Sequence, residues 1–146
     1  MIQRIQSLFL FLAAGMAFGL FALPFASTSS EIATSSIFSD ATYNLNDHIG
    51  LLVLFGLSGV LAFVSIFLFK NRQLQMKLSR FALIANILGM ILAVIIFWQD
   101  LQGMGGAIPS DQAGAYLPLG FILFASLALR FIGKDEKLVR SMDRLR

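Results

Sequence analysis

Charge is what this chain has least of. Only 13% of its residues are Asp, Glu, Lys or Arg, against 58% hydrophobic, whereas a soluble domain carries about a quarter charged residues. Cysteine is absent, which excludes disulfides, thiolate metal ligands and thiol redox chemistry. His48 is the only histidine, so no zinc-binding histidine pair exists. There is also no phosphate-binding glycine loop and no nucleophile elbow. The most telling absence is local: residues 27–48 and 99–115 contain no Lys or Arg at all.

What is present falls into order around that gap. The 11 basic residues lie before the first apolar run (Arg4), between the second and third (Lys70, Arg72, Lys77, Arg80), or at the end of the fourth and beyond (Arg130, Lys134, Lys137, Arg140, Arg144, Arg146). A bilayer core of ~30 Å needs about twenty apolar residues per helix. Residues 7–26, 49–69, 81–98 and 113–132 meet that need. The fourth does so only if Arg130 snorkels, because its charge-free stretch Tyr116–Leu129 would reach only ~21 Å. The positive-inside rule then places both termini, the connection 70–80 and the tail 133–146 in the cytoplasm, with 27–48 and 99–115 outside. The expected fold is all-α: one integral membrane domain over 1–146, a four-helix bundle with N-in/C-in topology at a bacterial inner membrane. Arg4 followed by an apolar run longer than a signal core, with Pro24 where a small residue is wanted, favours a retained anchor over a cleaved signal peptide. The net charge of +3 reflects orientation, so no nucleic-acid partner is expected.

Between the spans, the Ser- and Thr-rich segment 27–48 is too short for a separate domain. Pro24 should stop the first helix. Asn46 and Asp47 stand where an N-cap for the second is wanted, and Ser110 and Asp111 repeat the arrangement before the fourth. Gly103, Gly105, Gly106 and Gly114 suggest a mobile loop, with a re-entrant segment as the sharper alternative. Trp98 and Tyr116 read as an interfacial aromatic belt. Gly133 offers a helix break, after which Leu138, Met142 and Leu145 share one face of a short amphipathic helix lying on the inner leaflet.

Few residues could carry chemistry. Spans one to three hold no ionisable group, which argues against a proton-coupled pump, a voltage sensor or a carrier of charged substrates. Asn86 shares a stripe with Ala82, Ala85, Gly89 and Ala93. Gly15, Gly19, Ala22 and Ala26 form a second stripe, and Ser58, Gly59, Ala62 and Ser65 a third. Small residues let helix backbones approach, and Asn or Ser can bridge them, so Gly15, Gly19, Ser58, Gly59, Asn86 and Gly89 are expected in helix packing. Gly15 and Gly19 could alternatively form a homodimer contact. Asp47, His48 and Asp100 are the one set from which an outer-face metal or acid–base cluster could be built; the plainer reading makes them a cap, an interfacial residue and a solvated charge. No cofactor is expected.

Three stretches carry a resemblance across the whole chain: the opening MIQRIQSLFLFLAAG, the junction FLFKNRQLQMKLSR (Phe67–Arg80) and the closing KDEKLVRSMDRLR (Lys134–Arg146). Together they resemble a bacterial family of small four-span integral membrane proteins catalogued only as a domain of unknown function. The resemblance implies an α-helical membrane protein and transfers no catalytic residue. It directs attention to Asn71, Arg72, Gln75, Asp135, Glu136, Arg140, Ser141, Asp143 and Arg144, which are more particular than leaflet anchoring requires. The leading expectation is a non-enzymatic accessory protein, seated in the lipid bilayer, that docks a membrane or cytoplasmic protein on those residues. Second comes a small carrier or pore for a neutral or lipid-like molecule, using Asn86 and the serines of span two. Third comes an enzyme at Asp47, His48 and Asp100.

Overall fold

The structure, a computed structural model, describes residues 2–32, 35–101 and 108–143. Four helices dominate: α1 (Ile2–Gly19), α2 (Ile49–Phe67), α3 (Arg72–Leu101) and α4 (Leu117–Asp143). Each packs on its two neighbours in a closed ring α1–α2–α3–α4, with α3 and α4 the least closely packed pair. Three helical segments are long and apolar enough to cross a membrane by length and composition: 49–67, 72–101 and 113–139. Ile5–Gly19 is a shorter apolar helix.

The bundle is arranged inside out relative to a soluble one. Beside larger side chains such as Leu10, Phe55, Phe121 and Ile132, small and polar residues make up much of its interior: Ala13, Ala14 and Ala17 on α1; Ser58, Gly59, Ala62 and Ser65 on α2; Ser79, Ala82, Ala85, Asn86 and Gly89 on α3; Ala125 and Ala128 on α4. Large apolar side chains such as Leu8, Phe11, Val53, Leu57, Ile84, Leu88, Ile91 and Leu123 point outward. Water does not favour such a surface, whereas in a bilayer close backbone approach becomes the main source of helix association.

Several expected boundaries shift for identifiable reasons. The first helix ends at Gly19 rather than near residue 26. The chain turns through Leu23, whose N–H donates to the Gly19 carbonyl, because the residue before Pro24 disfavours helical backbone. Then Ala26–Ser27 forms strand β1, flanked antiparallel by β2 (Thr42–Tyr43) and β3 (Ser110–Asp111). Ser110 and Asp111 are therefore strand residues and not a cap. His48 takes the N-cap of α2, its Nδ1 accepting from the Gly50 N–H at 3.0 Å, in place of Asn46 or Asp47. Asn71 caps α3, its side chain accepting from Leu74 N–H at 3.2 Å. Between α2 and α3 only Leu68–Asn71 lies outside helix. Two 3₁₀ turns, Leu45–Asp47 and Ala113–Tyr116, lead into α2 and α4.

Gly133 does not break α4, which runs unbroken to Asp143. A glycine inside a helix costs only about 1 kcal/mol, less than the packing of Ile132 and its neighbours holds. The expected separate tail helix on the leaflet is thus the continuous end of α4. The serine-rich segment is no bare loop either. It folds over the end of the bundle and buries Ile37, Phe38, Tyr43 and Leu45 against Leu20, Phe25, Leu51, Phe55 and Ala93. Tyr43 anchors this cap by donating its hydroxyl hydrogen to the Ala93 carbonyl at 3.1 Å.

Candidate functional site

The two ends of the bundle differ in charge. One, the acidic end, carries the strands and the cap. The other, the basic end, carries the start of α1, the α2–α3 connection and the end of α4.

At the acidic end Asp47, His48 and Asp100 each have separate local work. The Asp47 carboxylate accepts from the Asn44 N–H at 2.6 Å. Burial raises its pKa, partly opposed by that hydrogen bond and reinforced by Asp40. His48 caps α2. Asp100, just past the apolar stretch 81–98, accepts from the Ser35 hydroxyl and from both N–H and hydroxyl of Ser36 at 3.1 Å. Burial pushes the Asp100 pKa up, but these hydrogen bonds outweigh it and the net shift is downward. Among the described residues no three His, Cys, Asp or Glu side chains group as metal ligands would.

Along the seam, Asn86 is fully buried, and neither its amide nitrogen nor its oxygen has a hydrogen-bond partner. The positions around it are closely packed. A Cβ on Gly89 would stand 3.1 Å from the Phe55 ring, and one on Gly59 would stand 3.2 Å from both Ala17 and Phe18. Ser58 and Ser65 return their hydroxyls to their own helix, at the Phe55 and Leu61 carbonyls. Gly19 lies 3.1 Å from Leu117 by the same measure, while Gly15 faces nothing within 4 Å. Gly15 is thus on the outward face, and the α1 seam runs instead through Gln6, Leu10, Ala13, Ala14, Ala17 and Leu20.

The basic end brings α3 and α4 together. The Arg72 guanidinium pairs with the Asp135 carboxylate at 3.1 Å, both side chains largely shielded. Two adjoining grooves flank this pair. One, of about 600 Å³, is lined by Phe69, Lys70, Asn71, Arg72, Gln73, Glu136 and Val139. The other, of about 470 Å³, is lined by Gln73, Met76, Lys77, Arg80, Gly133, Glu136 and Lys137. Of the residues expected to dock a partner, Asn71, Arg72 and Glu136 line these grooves. Asp135 supports them. Gln75 is 1% exposed and faces inward, so it is not on that surface. Ser141 is exposed and donates to the Leu138 carbonyl. The side chains of Arg140 and Asp143, and Arg144 entirely, lie outside the described residues.

One feature of the acidic end escaped the sequence reading. A cavity of about 240 Å³ lies beneath the cap between α3 and α4, lined by Phe25, Ala26, Tyr43, Phe55, Met90, Ala93, Val94, Phe97, Asp111, Ala115 and Pro118. Its walls come from seven separate elements, which no local pattern links.

A family model described as "Domain of unknown function (DUF4293)" matches residues 2–145, in line with the resemblance carried by the two ends and the central junction. No curated protein and no solved structure matches the chain.

Proposed function

The chain belongs to the DUF4293 family, and from that premise and its geometry we propose a non-enzymatic membrane docking protein. Four helices cross the inner membrane, both termini lie in the cytoplasm, and the basic end receives an acidic segment of a protein partner. The outward-facing Leu, Ile, Val and Phe side chains and the one-sided placement of Lys and Arg support the insertion and its direction.

The observation that carries the docking reading is the length of α3 and α4 beyond their apolar parts. From Arg80 back to Arg72, α3 extends ~12 Å past the apolar boundary, and from Gly133 to Asp143 α4 extends ~15 Å. A headgroup layer is only about 5–8 Å deep. The Arg72–Asp135 pair and the first groove therefore stand clear of the lipid, where an acidic protein segment can reach them. The bases around the grooves, Lys70, Lys77, Arg80 and Lys137, outnumber the one acid, Glu136. Close packing around Asn86 favours this reading over passage of a solute along the seam.

The test is photo-crosslinking in intact membranes, from a reactive residue at Gln73 or Lys137 and, as control, at Ile108. A discrete protein adduct is expected from the first two only, and Lys70→Glu should abolish the one from Gln73. That change leaves Arg4, Arg72, Lys77 and Arg80 to hold the orientation. Adducts with lipid alone, or protein adducts indifferent to the charge change, would refute docking. Because the chain has no cysteine, Ser29→Cys and Ser141→Cys report sidedness directly. An impermeant maleimide added outside should label the first and not the second.

A further inference from the structure

We propose that the cavity under the cap binds a hydrophobic amine, with its apolar body among the aromatic rings and its ammonium at Asp111. The site is independent of the docking reading, since it lies at the opposite end of the bundle.

The chemistry of the lining selects the ligand. Phe25, Tyr43, Phe55 and Phe97 form one ring cluster: Phe25 lies 5.2 Å from Tyr43 and 5.9 Å from Phe55, and Tyr43 lies 6.3 Å from Phe97. The Tyr43 hydroxyl is already committed to Ala93, so the walls offer almost no hydrogen bonding and demand an apolar body. A 150 Å³ apolar cavity takes up benzene, so about 240 Å³ accommodates a phenyl ring with a two- or three-atom chain. Asp111 is the one acidic or basic side chain among the described lining residues other than the phenol of Tyr43, which holds its proton. It is exposed and joins no ion pair among the described residues. The neighbouring charges at this end, Glu31, Asp40, Asp47 and Asp100, are all acidic. An anionic head would be repelled, a neutral one would gain nothing, and a cation would be attracted while staying partly hydrated at the rim. Aromatic surfaces add to cation binding where they reach it. Entry is lateral, between α3 and α4, past Val94, which is 59% exposed.

The experiment uses the full chain in lipid nanodiscs, titrated calorimetrically with phenethyltrimethylammonium, its neutral tert-butyl isostere and 3-phenylpropanoate. Saturable binding of the cation is expected, at least tenfold tighter than the neutral isostere, with none of the anion. Asp111→Asn should erase the preference for the cation, and Val94→Phe should block all binding. An azide-bearing analogue of the cation should attach to peptides of α3 and the start of α4, a readout that needs no variant to fold. Equal affinity for cation and isostere, binding undiminished in both variants, attachment elsewhere, or no saturable binding would each overturn the proposal.

Discussion

Arg72 and Asp135 meet at 3.1 Å and tie the first turn of α3 to the last third of α4, outside the apolar part of the bundle. The pair lies between the two levels at which ion pairs are usually weighed: exposed pairs contribute 0–1 kcal/mol, while breaking a buried one costs 3–5 kcal/mol. With both side chains largely shielded, Arg72→Ala or Asp135→Ala should each cost about 1–2 kcal/mol, read as a lower thermal midpoint in mild detergent. The reversed pair, Arg72→Asp with Asp135→Arg, should recover most of that loss. Additive losses in the double variant would mean that the two side chains stabilise separately.

The latch between Asp100 and Ser35–Ser36 makes the cap sensitive to acid. The Asp100 pKa is lowered on folding, so its contribution is present above the unfolded carboxylate value and is lost as pH falls through the folded one. Protection of the Ser36 and Phe38 amides, taken relative to the intrinsic exchange rate at each pH, should therefore fall as the pH is taken below about 4, while the helical amides of α2 stay protected. In Asp100→Asn the protection of those two amides should be flat across the same range. An unchanged acid profile in that variant would assign the sensitivity to another carboxylate.

The glycines separate into positions that differ sharply in what a methyl group would meet. At Gly114 a Cβ would stand 2.3 Å from the Pro24 carbonyl oxygen and 2.6 Å from that of Leu23. Backbone cannot yield as a side chain does, so Gly114→Ala should pull the α3–α4 connection off the segment that follows α1. Gly89→Ala presses on the Phe55 ring and should cost about 1–3 kcal/mol. Gly15→Ala meets nothing and should stabilise by up to about 1 kcal/mol through helix propensity alone. The ranking is checked by thermal unfolding of the three variants side by side. A large loss in Gly15→Ala, together with a change in oligomeric state, would instead make Gly15 a contact between copies.

How far the sequence disclosed this arrangement depends on whether a feature is periodic. The edges of α2 and the stripe Ala82–Ala85–Asn86–Gly89–Ala93 were legible because burial repeats with the helix turn. On α1 two small-residue stripes compete, one through Gly15 and Gly19 and one through Ala13, Ala14 and Ala17. Periodicity gives no reason to choose the alanines. The cap was illegible for a different cause: Ile37, Phe38, Tyr43 and Leu45 follow no period, the strands are two residues long, and abundant Ser and Thr disguise a buried cluster as a solvated loop. The cavity depends on that cap, so it was hidden with it. The basic end was legible in composition, but its geometry was not, since Gly133 reads as a break that α4 does not make.

Tyr43 offers the sharpest test of the cap, because it combines burial with a single committed hydrogen bond. Its hydroxyl donates to the Ala93 carbonyl, and burial first, then the Asp47 charge, pushes its pKa well above the ordinary tyrosine range. For an acid whose pKa rises on folding, the contribution is complete below the unfolded value near 10 and is lost as pH climbs through the folded one. Alkaline difference spectra should therefore show Tyr43 holding its proton until the cap opens. Tyr43→Phe should remove the late step from the spectrum. It should also destabilise by about 1 kcal/mol, the net worth of one lost hydrogen bond, because the Ala93 carbonyl lies within α3 and keeps its helical donor. If Tyr43 ionises in the ordinary tyrosine range while the protein is still folded, it is exposed to water and the cap does not close over the bundle as described.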